Sequence, residues 1–167
     1  MRVFASREQA GAELALLVRA AVDGPAVVLG VAPHGMPVAE QVAAALGVSA
    51  QPVALEERPD GLVVSQLPVA AGCTAVVVDD GVETGSAARA IAQALLEAGV
   101  GRTVLAVPVC PRQALATLRL AYDDVIAIDI PLARRSLRWH YADWDEGDDG
   151  DGPGASPDHI HRGHHQP

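Results

Sequence analysis

The chain has 167 residues, which suits one domain of ordinary size and leaves little room for a second. Half of the residues are hydrophobic but only 3% are aromatic, so the core must consist mainly of Ala, Val and Leu. With twelve Arg, no Lys and a net charge of −9, the composition argues against nucleic-acid binding through a broad basic face. No segment is apolar for long enough to span a membrane and the first residues do not resemble a signal peptide, so we expect a cytoplasmic protein.

Two kinds of apolar segment alternate along the chain. Short β-branched runs are typical of strands buried on both faces, and longer Ala- and Leu-rich stretches are typical of amphipathic helices. The predicted strands are residues 26–31, 75–78, 103–109 and 125–130, and the predicted helices are 6–22, 38–46, 86–98 and 111–121. Alternation of this kind predicts an α/β fold with a mainly parallel sheet and helices on both sides.

Two stretches depart from this alternation. Between residues 51 and 72, the turn signal Pro59-Asp60-Gly61 predicts a hairpin or a loop excursion. From about Asp143 onward the chain consists largely of Asp, Gly, Pro and His, which cannot bury enough surface to offset the cost of ordering. We therefore predict a folded domain over residues 1–144 and an acidic, His-rich disordered tail over 145–167.

The segment VVVDDGVETGS, residues 76–86, carries the clearest functional signal. Asp79 and Asp80 follow a predicted buried strand, and a Gly-bearing turn then leads into a predicted helix. Ligands of open α/β sheets bind beyond the carboxyl ends of strands, and a helix N-terminus with free amides binds phosphate. The acid pair can accept hydrogen bonds from vicinal sugar hydroxyls or hold a hydrated divalent cation. The segment therefore predicts a sugar-phosphate site that uses magnesium.

Three alternative roles for this segment fit the residues less well. A lone Asp here would usually end a strand and cap a turn, but two Asp before Thr-Gly-Ser at a helix start are harder to explain in that way. A P-loop is excluded because the chain has no Lys, and no GxGxxG follows the first predicted strand. A sugar-phosphate hydrolase with an Asp nucleophile would need an Asp-x-Asp pair, whereas Asp79 and Asp80 are adjacent.

The segment 79–86 resembles the phosphoribosyl pyrophosphate (PRPP) motif of type I phosphoribosyltransferases: two acids after an apolar strand, three variable residues, then Thr-Gly and a small hydroxyl-bearing turn. Residues 27–47, VVLGVAPHGMPVAEQVAAALG, are similar to that family's first strand, pyrophosphate loop and following helix. The resemblance covers roughly residues 25–130 and extends to stand-alone bacterial members of unassigned substrate. It implies a three-layer α/β/α phosphoribosyltransferase-like fold. It also implies a glycosyltransferase of nucleotide metabolism, which moves the 5-phosphoribosyl group from Mg-PRPP to a nitrogenous base and releases pyrophosphate.

The resemblance also implies roles for individual residues. Asp79 and Asp80 would bind the ribose hydroxyls, and the Mg²⁺ carried by PRPP would reach them through water. The 5′-phosphate loop would consist of Glu83, Thr84, Gly85, Ser86 and Ala87, and Glu83 is in addition a hypothetical general base. The pyrophosphate loop would consist of Ala32, Pro33, His34 and Gly35. The partners implied are PRPP and a nucleobase or other nitrogen acceptor, and many members of the family are dimers, so a homodimer is one expectation.

Several positions depart from the family's pattern. Ala87 stands where a second Thr is frequent, which removes one hydroxyl contact worth about 1 kcal/mol. His34 stands near the position where the pyrophosphate loop often carries a fixed cation. The interval 56–72, where the family has its flexible catalytic loop, is short. The cations available for pyrophosphate are few: Arg58, Arg89 and Arg112.

The hood that covers the base in this family is reduced here. The aromatic cluster Trp139, Tyr141 and Trp144 either stacks a base or, as the more frequent outcome for such a cluster, packs the last element onto the body. Together the departures keep a second hypothesis open. In it, the protein is a catalytically weak or inactive regulatory module that binds PRPP or a nucleotide.

Overall fold

The computed structural model describes residues 1–145. Most of the predicted tail, residues 146–167, lies outside the described residues, so the domain boundary near residue 144 stays a prediction. The elements in chain order are α1 (Arg7–Ala21), β1 (Val27–Val31), α2 (Met36–Leu46), β2 (Ala50–Arg58), β3 (Gly61–Gln66), β4 (Thr74–Val78), α3 (Ser86–Glu97), β5 (Arg102–Val109), α4 (Arg112–Ala121), β6 (Asp124–Asp129) and a 3₁₀ turn (Leu137–His140). The four predicted strands and four predicted helices are all present, with ends displaced by at most two residues.

Within residues 1–145, six strands form one sheet in the order β3-β2-β1-β4-β5-β6. All neighbouring pairs are parallel except β2 and β3, which form an antiparallel hairpin at the edge. From β1 the chain builds outward to β2 and β3, and from β4 it builds outward in the opposite direction to β5 and β6. The strands β1 and β4 are therefore neighbours at a topological switch point, the place where open sheets of this kind form a crevice for a ligand.

Helices cover both faces of the sheet, which confirms the predicted three-layer α/β/α fold. Val76 and Val78 of β4 pack in one cluster with residues of α1 and α2. Ala75 and Val77, one position along, pack in the other cluster with residues of α3 and α4. Because successive side chains of a strand point to opposite faces, a continuous Val run serves both layers, and each fully buried Val or Leu contributes about 1.5–3 kcal/mol.

Local signals agree with two of the helix ends. The side chain of Ser6 accepts a hydrogen bond from the backbone N–H of Gln9 at 3.0 Å and so caps the start of α1. The Gln9 side chain accepts a hydrogen bond from the backbone N–H of Ala5 at 3.4 Å. Gly47 ends α2 in the left-handed conformation, at φ 71°.

The interval 56–72 contains the end of one strand and the whole of the next. β2 pairs in parallel with β1 and continues to Arg58, and β3 returns beside it after a two-residue turn. The turn signal left a hairpin and a loop excursion open, and the structure contains the hairpin. If residues 56–72 shield a bound ligand from water, the hairpin edge and the connection from β3 to β4 must do so.

The chain after β6 packs back against the start of the chain. Tyr141 is buried and forms an isolated parallel bridge with Phe4, and their ring centroids lie 5.8 Å apart. The Trp144 ring lies 6.2 Å from the Tyr141 ring, whereas Trp139 is 59% exposed. Packing of the last element is therefore confirmed for Tyr141, and Trp139 is at the surface. Among residues 1–145, no helix has the length and apolar character needed to cross a bilayer.

Candidate functional site

A cavity of about 170 Å³ lies at the carboxyl edge of the sheet, where β1, β4 and β5 end. Its apolar floor consists of buried side chains of these strands that belong to one face of the sheet: Val31, Val77, Leu105 and Val107. Its polar wall consists of Asp79, the loop 81–85 and the first residues of α3, 86–88. The fold thus brings one acid of the pair and the whole proposed 5′-phosphate loop to one cavity at the switch point.

The two acids of the pair have different surroundings. Asp79 is half-buried and lines the cavity, whereas Asp80 is only 4% exposed and is not among the lining residues. The Asp80 carboxylate accepts a hydrogen bond from Arg7 Nε at 3.1 Å and forms an ion pair with it. The Asp80 backbone N–H donates to Asp79 Oδ1 at 2.8 Å. Of the two acids, Asp79 is therefore the one on the wall of the cavity.

The Asp79 carboxyl group is in an unfavourable place for a negative charge. Burial raises the pKa of Asp79 well above its usual value, and the neighbouring charge of Asp80 raises it further. Arg7 opposes the effect because its positive charge lowers the pKa of Asp79. A hydroxyl-bearing or cationic ligand would stabilise the charged form by pairing with the carboxylate.

The loop before α3 forms a concave surface of small residues. Gly85 adopts φ 86°, a left-handed conformation that a residue with a Cβ rarely accepts, and α3 begins at the next residue. The first i→i−4 bond of α3 runs from Arg89 N to Gly85 O, so the amides of Ala87 and Ala88 precede it and face the N-terminal end of the helix. These amides and the helix dipole favour an anion.

Hydroxyl groups and a cation complete this loop. The hydroxyl oxygens of Thr84 and Ser86 lie 3.0 Å apart, and Ser86 N donates to Thr84 Oγ1 at 3.3 Å. The Arg89 guanidinium donates to Thr84 O at 3.3 Å and to Ser86 Oγ at 3.4 Å. Of the three candidate cations, Arg89 is therefore the one that contacts the loop. Arg58 is an exposed hairpin residue paired with Glu56.

The turn 32–35, between β1 and α2, lies directly against Asp79. A Cβ on Gly35 would come within 2.6 Å of Val31 O, 2.9 Å of Val78 O and 3.0 Å of Asp79 Cα, so only glycine fits without backbone movement. The Ala32–Pro33 peptide bond is cis. The turn proposed for pyrophosphate thus adjoins the acid pair, although none of its four residues, 32–35, is among those that line the cavity.

Glu83 is held by the C-terminal segment. Its Oε1 accepts a hydrogen bond from the backbone N–H of Leu137 at 2.9 Å. The hydroxyl of Tyr141 donates to the backbone carbonyl of Asp80 at 2.5 Å. Sequence patterns did not connect Arg7 or Leu137 with the site, and they offered Tyr141 only as part of an aromatic cluster that either stacks a base or packs the last element. The two partners of each contact are separated by 54 to 73 positions in the sequence. Local sequence patterns therefore do not predict these contacts.

The side chains of the site can be compared with the ligands that Mg²⁺ requires. The described residues contain no group of three or more His, Cys, Asp or Glu side chains that could hold a metal ion. Asp79 and Glu83 supply carboxylate oxygens to the cavity wall, and Glu83 is already engaged. Such a site fits a Mg²⁺ ion that arrives with an anionic substrate and keeps most of its waters, because Mg²⁺ dehydrates reluctantly.

Several solved structures have the same fold as this chain. TT1426 from Thermus thermophilus has a TM-score of 0.74 and 26% identity, over 87% of this chain and 93% of that one. The purine phosphoribosyltransferase from Pyrococcus horikoshii has a TM-score of 0.58 and 17% identity, over 78% of this chain and 93% of that one. The adenine phosphoribosyltransferase from Thermoanaerobacter pseudethanolicus has a TM-score of 0.55 and 18% identity, over 72% of this chain and 80% of that one.

A family model described as the phosphoribosyl transferase domain matches residues 6–133. The match takes in β1, the turn 32–35 and the whole segment 79–86, and it extends at both ends beyond the stretch on which the resemblance was based. The structural neighbours of named activity share the same fold. The chain belongs to the phosphoribosyl transferase domain family.

Proposed function

We propose that this protein binds Mg-PRPP at the carboxyl edge of β1 and β4 and transfers the 5-phosphoribosyl group to a nitrogenous base, releasing pyrophosphate. Family membership supports phosphoribosyl transfer in general. The observation that carries the finer proposal is that Asp79 and the start of α3 line the same cavity. A carboxylate beside an anion-binding helix start matches a ligand with both free hydroxyls and a phosphate.

Each part of the site has a role in this proposal. Asp79 accepts hydrogen bonds from the ribose 2′- and 3′-hydroxyls, and Asp80 contributes through the hydrogen bond that orients Asp79. Residues 83–87 surround the 5′-phosphate with amides and with the Thr84 and Ser86 hydroxyls. Residues 32–35 lie against the pyrophosphate. These contacts place the reacting carbon at the mouth of the cavity, where orientation lowers the barrier to transfer.

In the transfer step, the C1–O bond to pyrophosphate breaks and a C1–N bond to the acceptor forms. Pyrophosphate leaves with the bonding electron pair, and the acceptor nitrogen loses its proton to solvent or to the departing pyrophosphate. Bound Mg²⁺ would neutralise the charge of the leaving pyrophosphate, which matters in a chain without Lys. The protein's own contribution is to hold the ribose through Asp79 and the 5′-phosphate through the loop.

The hydrogen bond that Glu83 already accepts favours a second candidate function, that of a regulatory module. A general base must be able to reach the acceptor proton, but the Glu83 carboxylate accepts a hydrogen bond from Leu137 N at 2.9 Å. Ala87 also removes a hydroxyl from the phosphate loop. A protein with these features could bind PRPP or a nucleotide and transfer slowly or not at all. In that case it would be a regulatory module.

The test is calorimetric titration with PRPP and Mg²⁺, followed by a pyrophosphate-release screen over purine and pyrimidine bases. Asp79→Asn is the site variant, and Glu97→Gln, at the far end of α3, is the matched control for loss of one negative charge. We expect binding by the wild type and by Glu97→Gln, and binding at least about tenfold weaker by Asp79→Asn.

The outcomes separate the two candidates. Binding with pyrophosphate release establishes the transferase and identifies its acceptor. Binding without release for every base favours the regulatory module. Failure of the wild type to bind PRPP, or unchanged affinity in Asp79→Asn, would show that the cavity serves a different ligand.

A further inference from the structure

Residues from both ends of the described chain meet at the acidic loop, which we define as residues 79–83. Arg7, in the first turn of α1, contacts the Asp80 carboxylate through Nε at 3.1 Å. The hydroxyl of Tyr141 donates to Asp80 O at 2.5 Å, and Leu137 N donates to Glu83 Oε1 at 2.9 Å. Three hydrogen bonds from two distant segments therefore converge on five consecutive residues.

The central ion pair of this arrangement is buried. The side chains of Arg7 and Asp80 are 13% and 6% exposed. The Arg7 guanidinium carbon also lies 4.7 Å from the centroid of the Trp144 ring and 5.6 Å from that of the Tyr141 ring. A guanidinium held between a carboxylate and aromatic faces has little freedom to change its orientation. The pair is thus a fixed attachment point for the acidic loop.

This attachment decides which acid faces the cavity. Because Arg7 holds the Asp80 carboxylate, that group is not available to a ligand in the cavity. The Asp80 backbone N–H donates to Asp79 Oδ1, so the position of Asp80 also sets the orientation of the Asp79 carboxylate. Arg7 and Tyr141 each contact Asp80, and neither is among the residues that line the cavity.

We propose that Arg7, Leu137 and Tyr141 form a clamp that orients Asp79 toward the ribose hydroxyls of the ligand, with Arg7 and Tyr141 acting as positioning residues. This inference rests on the proposed PRPP site for its ligand. The clamp itself is a property of the folded chain and can be measured without any ligand. It also assigns a role to the C-terminal segment 137–141, which lies beyond the 6–133 region matched by the family model.

The first measurement is hydrogen exchange of the ligand-free protein in the peptides that cover residues 79–83. We expect exchange about tenfold faster in Arg7→Gln and severalfold faster in Tyr141→Phe, because each variant removes one of the bonds that hold the loop. The matched control is Arg102→Gln. Arg102 is the first residue of β5, and its part-buried guanidinium donates a hydrogen bond to the backbone carbonyl of Ala21. This variant should leave exchange at residues 79–83 unchanged. Tyr141→Phe removes only the hydroxyl and keeps the packed ring. The test therefore relies on Tyr141→Phe if Arg7→Gln does not fold.

The second measurement compares two probes, ribose 5-phosphate and inorganic phosphate, by calorimetry. Loss of the clamp should weaken ribose 5-phosphate binding about tenfold and change phosphate binding by less than about twofold, because only the sugar contacts Asp79. A residue with a purely structural role would weaken both probes in parallel with the fall in melting temperature, and that result would overturn the proposal. Unchanged exchange at residues 79–83 in both variants would also overturn it.

The same experiments separate this proposal from the proposed function. If the wild type binds neither ribose 5-phosphate nor PRPP, the proposed PRPP site is wrong. The ligand assigned to the clamp is then wrong as well. The exchange measurement then still decides whether Arg7 and Tyr141 order the acidic loop. If the wild type binds both ligands and the variants keep the same ratio of affinities, the PRPP site stands and the clamp is wrong.

Discussion

Asp79 is a residue whose negative charge the folded protein disfavours. Burial and the adjacent Asp80 raise its pKa above the ordinary value of 3.8, so the folded state holds a proton at pH values where the unfolded chain has lost it. The resulting contribution to the free energy of unfolding is present at low pH and is lost as the pH rises from about 3.8 to the raised pKa. Carboxyl groups with a raised pKa are frequent at functional sites, where a disfavoured charge lowers stability.

We therefore expect Asp79→Asn to raise the melting temperature at pH 7 by several degrees while it weakens PRPP binding. The amide keeps the shape of the side chain and removes the disfavoured charge. Thermal denaturation between about pH 4 and pH 8 should show that the gain grows as the pH rises. Glu40→Gln, an exposed position on α2, is the control and should give no gain. A lower melting temperature in Asp79→Asn at pH 7 would contradict this account.

Asp80→Asn should have the opposite effect on stability. It removes the negative charge that pairs with the Arg7 guanidinium, whose side chain is 13% exposed. Breaking a buried pair from one side costs about 3–5 kcal/mol. Denaturant unfolding of Arg7→Met, Asp80→Asn and the double variant completes the cycle. The double variant should be less destabilised than the sum of the single variants, and additivity would show that the pair is not coupled.

At the scale of elements, the turn 32–35 and the acidic loop are in contact because Gly35 has no side chain. The backbone atoms that a Cβ would meet belong to β1 and to the end of β4, so neither side can yield without moving a strand end. The position of the turn against Asp79 therefore depends on this one residue.

Gly35→Ala should destabilise the protein by about 1–3 kcal/mol, the usual cost of overpacking, and weaken pyrophosphate binding. Gly24→Ala is a useful comparison, because Gly24 has a φ of 79° and a methyl group added there would meet nothing within 4 Å. It should cost about 1–2 kcal/mol through backbone strain alone and leave binding unchanged. Equal binding by the two variants would show that the turn does not contact pyrophosphate.

The elements also show why sequence patterns defined the bounds of some strands and left those of β2 undefined. β1, β4 and β5 are buried on both faces and therefore appear as continuous apolar runs. β2 has a single fully buried residue, Val53, and includes Pro52, so neither a continuous run nor a clean alternation marks it. Its place in the sheet depends on pairing with β1, which no local pattern reveals.

For the whole molecule, the arrangement of the strands brings the parts of the candidate site together. Since β1 and β4 are neighbours although α2, β2 and β3 lie between them in sequence, the turn after β1 and the loop after β4 meet at one edge. The end of the described chain then closes on the same edge through Leu137 and Tyr141. The contacts reported for the site all lie within residues 1–145.

A chain that ends at Asp145 should therefore fold and bind as the full chain does. The segment 146–167 carries five acids, one Arg and four His, a composition that does not predict a packed element. Melting temperature and PRPP affinity should be unchanged by its removal. A large fall in melting temperature would show instead that the segment packs on the domain.

The sequence by itself determined the α/β class, the alternation of four strands and four helices, and the segment 79–86 as the expected site of phosphate chemistry. Those features follow from local rules, such as apolar runs and an acid pair before a helix start. Tertiary structure decided which acid faces the cavity, because Arg7 and Tyr141 reach Asp80 from positions 73 and 61 residues away. It also decided that Glu83 is engaged by Leu137 and that Gly35 lies against Asp79. Contacts between residues so far apart in sequence depend on the packing of the whole sheet. The local pattern of side chains along the chain therefore does not predict them.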